Sequence, residues 1–222
     1  MRSVKRTPPK VSVATLEPRQ QPTRRSFRIA VNLYVQWMLK HPHRSEFHSR
    51  AEYLYAGLLE GTPAVTAFVP QPFRLRIGRR SYTPDFYVVH HGQPRVVELK
   101  PADEVDRSLV EPAEAFLAAN GIDFEVVDNS SVFARVMEAE NWLEIVRVLH
   151  ACRHVPTESL EPQLLDEFRG QPFLQLDDVI DPGDRDASMD REIALFRLLH
   201  RGQLQADFAD KPLDFTTQVW LP

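Results

Sequence analysis

The sequence has one cysteine, Cys152, and eight glycines among 222 residues. A single thiol excludes an intramolecular disulfide and a multi-thiolate zinc site, and this scarcity is typical of a reducing compartment. The glycines do not gather into a phosphate-cradling loop, which argues against a nucleotide-binding motif. No apolar run approaches the ~18 residues that a membrane span requires, and the N-terminus lacks the apolar stretch of a signal peptide. We therefore expect a cytoplasmic protein with no membrane contact.

Acidic side chains are scarce in the first 100 residues, which hold 6 Asp or Glu against 17 Lys or Arg. Residues 101–222 hold 25 acidic against 10 basic side chains, so the formal charge of −4 divides into +11 and −15. A basic surface is suited to a polyanion such as DNA. Three of the six acids in the basic part, Glu52, Asp85 and Glu98, are therefore candidates for a specific site. Ordinary drift of surface charge is the alternative explanation for the asymmetry.

Two runs rich in Val, Tyr and Phe surround a short segment that contains Gly92 and Pro94. This pattern predicts a β-hairpin with a loop of about five residues. Glu98 and Lys100 leave the same face of the second strand roughly 6.7 Å apart, and the hairpin brings Asp85 beside Glu98. Two carboxylates at short range repel each other unless a cation neutralises them. The hairpin therefore predicts a site for a divalent metal ion.

The same residues resemble the PD-(D/E)xK signature of restriction-endonuclease-like nucleases. Upstream of them lie a glutamate in a helical segment and a strand that begins Gln-Pro-Phe. That order is similar to TnsA-type proteins, the endonuclease subunits of heteromeric cut-and-paste transposases, over roughly residues 45–150. The segments that carry the resemblance are Ser49–Tyr55, Gln71–Leu75, Tyr82–Phe86 and Val96–Lys100, with twelve residues between Asp85 and Glu98.

The resemblance implies an α/β fold with a restriction-endonuclease-like mixed sheet flanked by helices. It also implies a metal-dependent DNA endonuclease that hydrolyses phosphodiester bonds at the 5′ ends of a transposon, on the non-transferred strand. One or two Mg²⁺ (or Mn²⁺) ions would be bound by oxygen ligands. Lys100 would orient or deprotonate the attacking water, or stabilise the transition state. The implied partners are double-stranded DNA at transposon ends, a separate transposase subunit and a regulatory ATPase. The expected metal ligands are Glu52, Asp85, Glu98 and the backbone carbonyl of Leu99.

Glu52 has a second explanation. Ser49 and Glu52 fit a capping box, in which the glutamate side chain merely returns to the backbone at the start of a helix. Glu46 and Glu60 are rival carboxylates in the same segment. The resemblance favours Glu52, since a glutamate from this helix completes the metal site in similar nucleases.

Arginines alternate with apolar residues in the predicted strand Phe73–Ile77, which places the guanidinium groups on one face. DNA phosphates are one partner for such a face, and solvent is the alternative. The predicted DNA-binding residues are Arg74, Arg76, Arg79 and Arg80, together with Arg24 and Arg25 in the N-terminal segment.

We expect three regions: a flexible basic arm over residues 1–26, an endonuclease domain over 27–154 and a small acidic domain over 155–222. The arm would contact DNA or a partner, or simply be solvated, since it has few large apolar residues to bury. Apolar spacing predicts helices at Phe27–Leu39, Glu46–Glu60 and Val132–Leu149. The C-terminal pattern of helices and a hairpin is typical of a winged helix. Its 14 acidic against 6 basic residues favour docking to a protein over binding to DNA.

Two other functions remain open at this point. A stand-alone restriction or repair nuclease of the same superfamily would be expected to carry a larger domain for reading its target. A non-catalytic DNA-binding adaptor of a transposition complex would keep the fold without the chemistry. The intact carboxylates and Lys100 argue against the adaptor, because closely placed like charges cost free energy to retain.

Overall fold

The computed structural model describes residues 9–23, 32–101 and 103–222. The strands are β1 (Val11–Val13), β2 (Tyr34–Trp37), β3 (Arg44–Phe47), β4 (Val65–Pro70), β5 (Leu75–Ile77), β6 (Arg80–Tyr82), β7 (Phe86–His90), β8 (Gln93–Lys100), β9 (Asp123–Asp128), β10 (Leu174–Gln175), β11 (Gln205–Ala206) and β12 (Gln218–Trp220). The helices are α1 (Arg50–Glu60), α2 (Arg107–Ala118), α3 (Asn129–Phe133), α4 (Val136–Ala151), α5 (Glu161–Phe168), α6 (Leu176–Val179) and α7 (Arg185–His200).

The central sheet has the strand order β4-β7-β8-β9, with antiparallel pairs except for the parallel pair of β8 and β9. A parallel pair needs a crossover, and α2 supplies it. One face is covered by α1 and α4, through buried residues such as Leu54 and Leu143. The other face packs against α2 and the small sheet β1-β5-β6, around Leu75 and Leu117. This arrangement confirms the α/β class with a mixed sheet. Burial on both faces is clearest at the centre of β8, where Val96 and Val97 lie in the cores on opposite faces of the sheet and are both fully buried.

The predicted hairpin is β7 and β8, but its turn is tighter than expected. His90 pairs with Gln93, so only His91 and Gly92 form the loop, with φ of +49° and +75°. Two successive positive φ angles are the geometry of a type I′ turn, whose twist matches that of the flanking strands. The prediction of a loop of about five residues was therefore wrong, because Gln93 and Pro94 pair with β7.

The expected flexible arm is wrong for residues 9–23. Strand β1 pairs antiparallel with β5, and its two valines lie opposite Leu75 and Ile77. Further along, the backbone N–H groups of Arg19 and Gln21 donate to the carbonyls of Pro72 and Gln71 at 2.8 and 2.9 Å. The prediction rested on the low content of large apolar residues. It missed the alternation of apolar and polar residues that allows β1 to pair with β5. Residues 1–8 and 24–26 lie outside the described ranges.

A second correction concerns residues 34–47. Tyr34–Trp37 form strand β2, antiparallel to β3, where helical spacing had predicted part of a helix. Alternate residues of β2 are exposed, which is the period of a strand and not of a helix. Helix α1 accordingly begins at Arg50, four residues later than predicted, with Ser49 as its N-cap. The part of the predicted helix over residues 27–31 lies outside the described ranges.

The C-terminal region surrounds its own core but shares a helix with the central sheet. Helices α5, α6 and α7 pack with the antiparallel sheet β10-β12-β11. The predicted helix Val132–Leu149 is two helices, α3 and α4, and α4 serves both cores. Its Leu143 and Val146 face the central sheet, whereas Trp142 and Ile145 face the C-terminal core. In the described part of the chain, no helix has the length and apolar character needed to cross a membrane.

Candidate functional site

Asp85 and Glu98 lie side by side at the end of the β7-β8 hairpin. Phe86 is opposite Val97 in the ladder, so Asp85, one residue before β7, is opposite Glu98. The backbone N–H of Leu99 donates to Oδ2 of Asp85 at 2.8 Å. The Nζ atom of Lys100 lies 3.4 Å from Oε1 of Glu98. The register therefore produces the carboxylate pair and the adjacent lysine that the sequence predicted.

A cavity of about 520 Å³ opens beside this pair. Its wall includes Glu52, Asp85, Leu99, Lys100 and Arg74. Glu98 is almost fully buried, at 4% exposure, and Lys100 connects it to the cavity wall. Buried carboxylates next to Lys100 and the exposed Arg74 suit a phosphodiester, because carboxylates bind a metal and cations bind phosphates, although the exposed Glu104 also lines the cavity.

Glu52 combines a helix cap with a place in the cavity wall. Its backbone N–H donates to Oγ of Ser49 at 3.1 Å, and its Oε1 accepts from that hydroxyl at 3.0 Å. Its Oε2 accepts from the His48 N–H at 3.0 Å and from Nε2 of Gln71 at 2.6 Å. The capping explanation and the site explanation are thus compatible, because the carboxylate that accepts from the Ser49 hydroxyl and from the backbone of His48, one residue before the predicted capping partner, also lines the cavity.

The alternative glutamate, Glu60, has a structural role outside the cavity. It ends α1, eight residues after Glu52 and therefore about 12 Å along the helix. Its Oε1 accepts from the N–H groups of Leu39 and Lys40 at 2.8 and 2.9 Å, and its Oε2 lies 2.7 Å from Nε2 of His200. These contacts tie the helix end to the C-terminal region.

The site strongly disfavours negative charge when no cation is bound. Burial raises the pKa of Asp85 well above its usual value, and the charges of Glu98 and Glu52 raise it further. Burial is also the main reason why the pKa values of Glu52 and Glu98 are raised. At Lys100 burial acts to lower the pKa, but the surrounding carboxylates outweigh it and leave the pKa raised. The three carboxylates therefore favour the charged form of Lys100 when no cation is bound.

The carboxylate oxygens of the site are suitable ligands for a hard divalent ion, but the three carboxylates do not surround a common point. Carboxylate oxygens are what Mg²⁺ prefers, and a cation would relieve the repulsion between Asp85 and Glu98. Among the described residues, however, no three Asp, Glu, His or Cys side chains converge closely enough to hold a metal as placed. Glu98 faces the layer of Tyr82, whereas Glu52 comes from α1 on the other side of the sheet.

The arginines predicted to bind DNA lie in different places in the structure. Arg74 and Arg76 are exposed between the buried residues of the β5 region, so they share one face, and Arg74 reaches the cavity. Arg79 and Arg80 are exposed at the β5-β6 turn, where Arg80 lies 2.8 Å from Asp106 in an ion pair. Arg24 and Arg25 lie outside the described residues.

Three residues of the site were missed by the sequence reasoning. The Tyr82 hydroxyl donates to Oε2 of Glu98 at 2.7 Å, and Gln71 donates to Glu52. Both belong to segments quoted for the resemblance, so their motifs were the available signal. Asn129 begins α3 beside the cavity, and within the described structure its buried Oδ1 has no hydrogen-bond partner. No sequence pattern pointed to Asn129.

Comparison with known protein families finds a match in the middle of the chain. Residues 62–129 match the model described as "TnsA-like endonuclease N terminal". This match confirms the resemblance that the motifs indicated. The matched segment runs from just before β4 to the end of β9 and contains Asp85, Glu98 and Lys100, but Glu52 lies upstream of it. A search of curated proteins finds no match.

Proposed function

We propose that this chain is the endonuclease subunit of a heteromeric transposase. The proposal starts from the match of residues 62–129 to the TnsA-like endonuclease family. The chain hydrolyses phosphodiester bonds at the 5′ ends of a transposon, on the non-transferred strand, during cut-and-paste transposition. The observation that carries this proposal is the pair of Asp85 and Glu98 beside Lys100 in a cavity edged by Arg74.

Each side chain has a distinct task in the proposed reaction. Asp85 and Glu98, with the carbonyl of Leu99, would hold one or two Mg²⁺ or Mn²⁺ ions, and Glu52 would complete the site. A bound ion would supply Lewis-acid polarisation of the phosphoryl oxygens and would lower the pKa of a water ligand. Lys100, as a fixed ammonium group, would orient the attacking water or stabilise charge that develops on the phosphate.

The proposed substrate is double-stranded DNA at the transposon ends. The exposed face of Arg74 and Arg76 would bind phosphates next to the cavity, and this contact positions the duplex without reading its sequence. A separate transposase subunit would cut the other strand, and a regulatory ATPase would control both activities.

The C-terminal region is proposed to be a winged-helix-like docking domain. Its helix-strand-helix-helix order, followed by two strands that pair as a hairpin, is typical of that fold. Its excess of acidic residues opposes binding to DNA phosphates and favours a basic protein surface.

A nicking assay tests the proposal. Purified protein would be incubated with labelled transposon-end duplex in Mg²⁺, with and without the co-encoded transposase. We expect cuts at the 5′ ends that leave 5′-phosphate and 3′-hydroxyl groups, and no cuts with Asp85→Ala or Lys100→Ala. Asp123→Ala, which alters an exposed acid at the opposite end of the parallel ladder, is the matched control.

Other results would redirect the assignment. Binding of the ends without cutting in any divalent ion or partner combination would favour the non-catalytic adaptor. Partner-independent cutting of unrelated DNA would favour the stand-alone nuclease.

A further inference from the structure

Gln71 has an unusual backbone for its residue type. It lies between two prolines with φ of +41°, in the left-handed region that residues other than glycine rarely adopt. Its side chain is buried, at 4% exposure. Such strain persists only where the surroundings hold it, and it concentrates at functional sites. Two backbone bonds hold Gln71: its N–H donates to the Asp85 carbonyl at 2.8 Å, and its carbonyl accepts from the Gln21 N–H at 2.9 Å.

The side chain of Gln71 continues the same network into the site. Its Nε2 donates to Oε2 of Glu52 at 2.6 Å, and its Oε1 accepts from Nε2 of Gln20 at 2.8 Å. Gln20 also donates to the carbonyl of Glu46 at 2.6 Å, which fixes it against β3. A chain of hydrogen bonds therefore runs from Gln20 through Gln71 to Glu52.

We infer that Gln71 is a positioning residue that holds the Glu52 carboxylate in the wall of the cavity that Asp85 also lines, and that residues 19–21 hold Gln71 in place. The inference rests on the proposed function. One residue bonds both the Glu52 side chain and the Asp85 backbone, so it fixes the relative placement of groups from two different layers. The neutral amide donates to a carboxylate without adding charge, whereas a carboxylate in its place would add repulsion. The N-terminal segment is thus a structural part of the site.

Gln71→Asn tests this role, because asparagine tolerates a positive φ but is one methylene too short to reach Glu52. Gln36→Asn is the matched control. Gln36 also contacts α1, since it accepts from the Tyr53 hydroxyl at 2.6 Å, and it donates to the Leu143 carbonyl at 2.9 Å. The measurements are calorimetric Mn²⁺ binding in the absence of DNA, single-turnover cleavage, DNA affinity in Ca²⁺ and melting temperature.

We expect Gln71→Asn to weaken Mn²⁺ binding or single-turnover cleavage by ~10–100-fold, the usual effect of losing an outer partner of a metal ligand. DNA affinity should stay unchanged, and Gln36→Asn should bind and cut like the parent even where it melts lower. Gln20→Ala should give a smaller loss in the same direction.

Three results would overturn the inference. Parent-like Mn²⁺ binding and cleavage by Gln71→Asn would remove the positioning role while leaving the proposed function intact. Equal losses for Gln71→Asn and Gln36→Asn would show that both act only through folding. A parent protein that neither binds Mn²⁺ nor cuts would contradict the proposed function itself, and with it the role assigned to Gln71.

Discussion

At the level of one side chain, the metal-binding role proposed for Asp85 conflicts with the stability of the fold. Its folded-state pKa is raised by burial and by two neighbouring carboxylates. An acid of this kind costs stability once the unfolded chain ionises, so the cost begins near pH 4 and is largest above the raised folded pKa. Below the unfolded pKa both states are protonated and the cost vanishes.

Replacing Asp85 by asparagine should therefore stabilise the metal-free protein. The amide oxygen of the substituted side chain can still accept from the Leu99 N–H, but the repulsion is gone. We expect Asp85→Asn to melt higher than the parent at pH 7, by about 2–4 °C for each kcal/mol recovered. The gain should shrink toward pH 4, and added Mg²⁺ should raise only the parent. Calorimetric melting scans at both pH values, with and without Mg²⁺, are the measurement. An equal gain at both pH values would show that repulsion is not its cause.

His41 should make the fold sensitive to acid. Burial, followed by the nearby His43, lowers its pKa from 6.5 to about 4, although Glu60 opposes this shift. A base with a lowered folded pKa contributes stability that is complete above pH 6.5 and is lost as pH falls toward 4. His41→Asn should lose less stability than the parent between pH 7 and 4.5, as measured by urea unfolding. His154→Asn, at an exposed position, should behave like the parent.

At the scale of elements, the sequence predicted the strands whose alternating pattern is clear and whose partner is adjacent in the chain. The β7-β8 hairpin and the juxtaposition of Asp85 and Glu98 follow from alternation and register, and both are present. Strand β2 was missed because Tyr34, Val35 and Met38 also fit a helical period over so short a stretch. Gln71 lies in a segment that carries the resemblance, but its contact with Glu52 was not predictable, because it depends on a positive backbone φ and on a bond with Gln20, 51 residues earlier.

The N-terminal segment gives the element-scale prediction. Deleting residues 1–23 removes β1 and the bonds to Gln71, so we expect a lower melting temperature and weaker Mn²⁺ binding. Deleting residues 1–8 alone removes three basic residues and leaves β1 in place. This shorter deletion should melt like the parent. Differential scanning calorimetry distinguishes the two, and equal melting temperatures would mean that β1 does not contribute to folding.

At the scale of the whole molecule, the basic half should dominate the binding of DNA. Arg74→Gln and Arg76→Gln should each reduce the slope of log K against log salt by about 1, which is the effect of losing one phosphate contact. Arg169→Gln, in the acidic C-terminal region, should leave the slope unchanged. Fluorescence anisotropy with labelled duplex over a range of salt concentrations measures all three. Unchanged slopes for both Arg74→Gln and Arg76→Gln would show that this face does not contact the DNA backbone.

The two cores should unfold together, because they share α4 and are linked by the contact of His200 with the buried Glu60. A fragment that ends near residue 155 would expose Trp142 and Ile145, so the regions cannot be separated without cost. In the intact chain, His200→Ala removes a hydrogen bond to a fully buried carboxylate, which costs about 1–3 kcal/mol. His90→Ala, in the β7-β8 hairpin, is the control.

We expect one cooperative urea transition in the parent, and a single transition at lower urea in His200→Ala. The Trp142 ring lies 6.5 Å from that of His200, so tryptophan fluorescence includes a reporter at the junction, whereas circular dichroism follows the whole chain. Both probes should shift by the same amount, since loss of the contact destabilises one shared unit. Two separate transitions in the parent, or a shift confined to fluorescence, would show that the core around the central sheet and the C-terminal core fold independently.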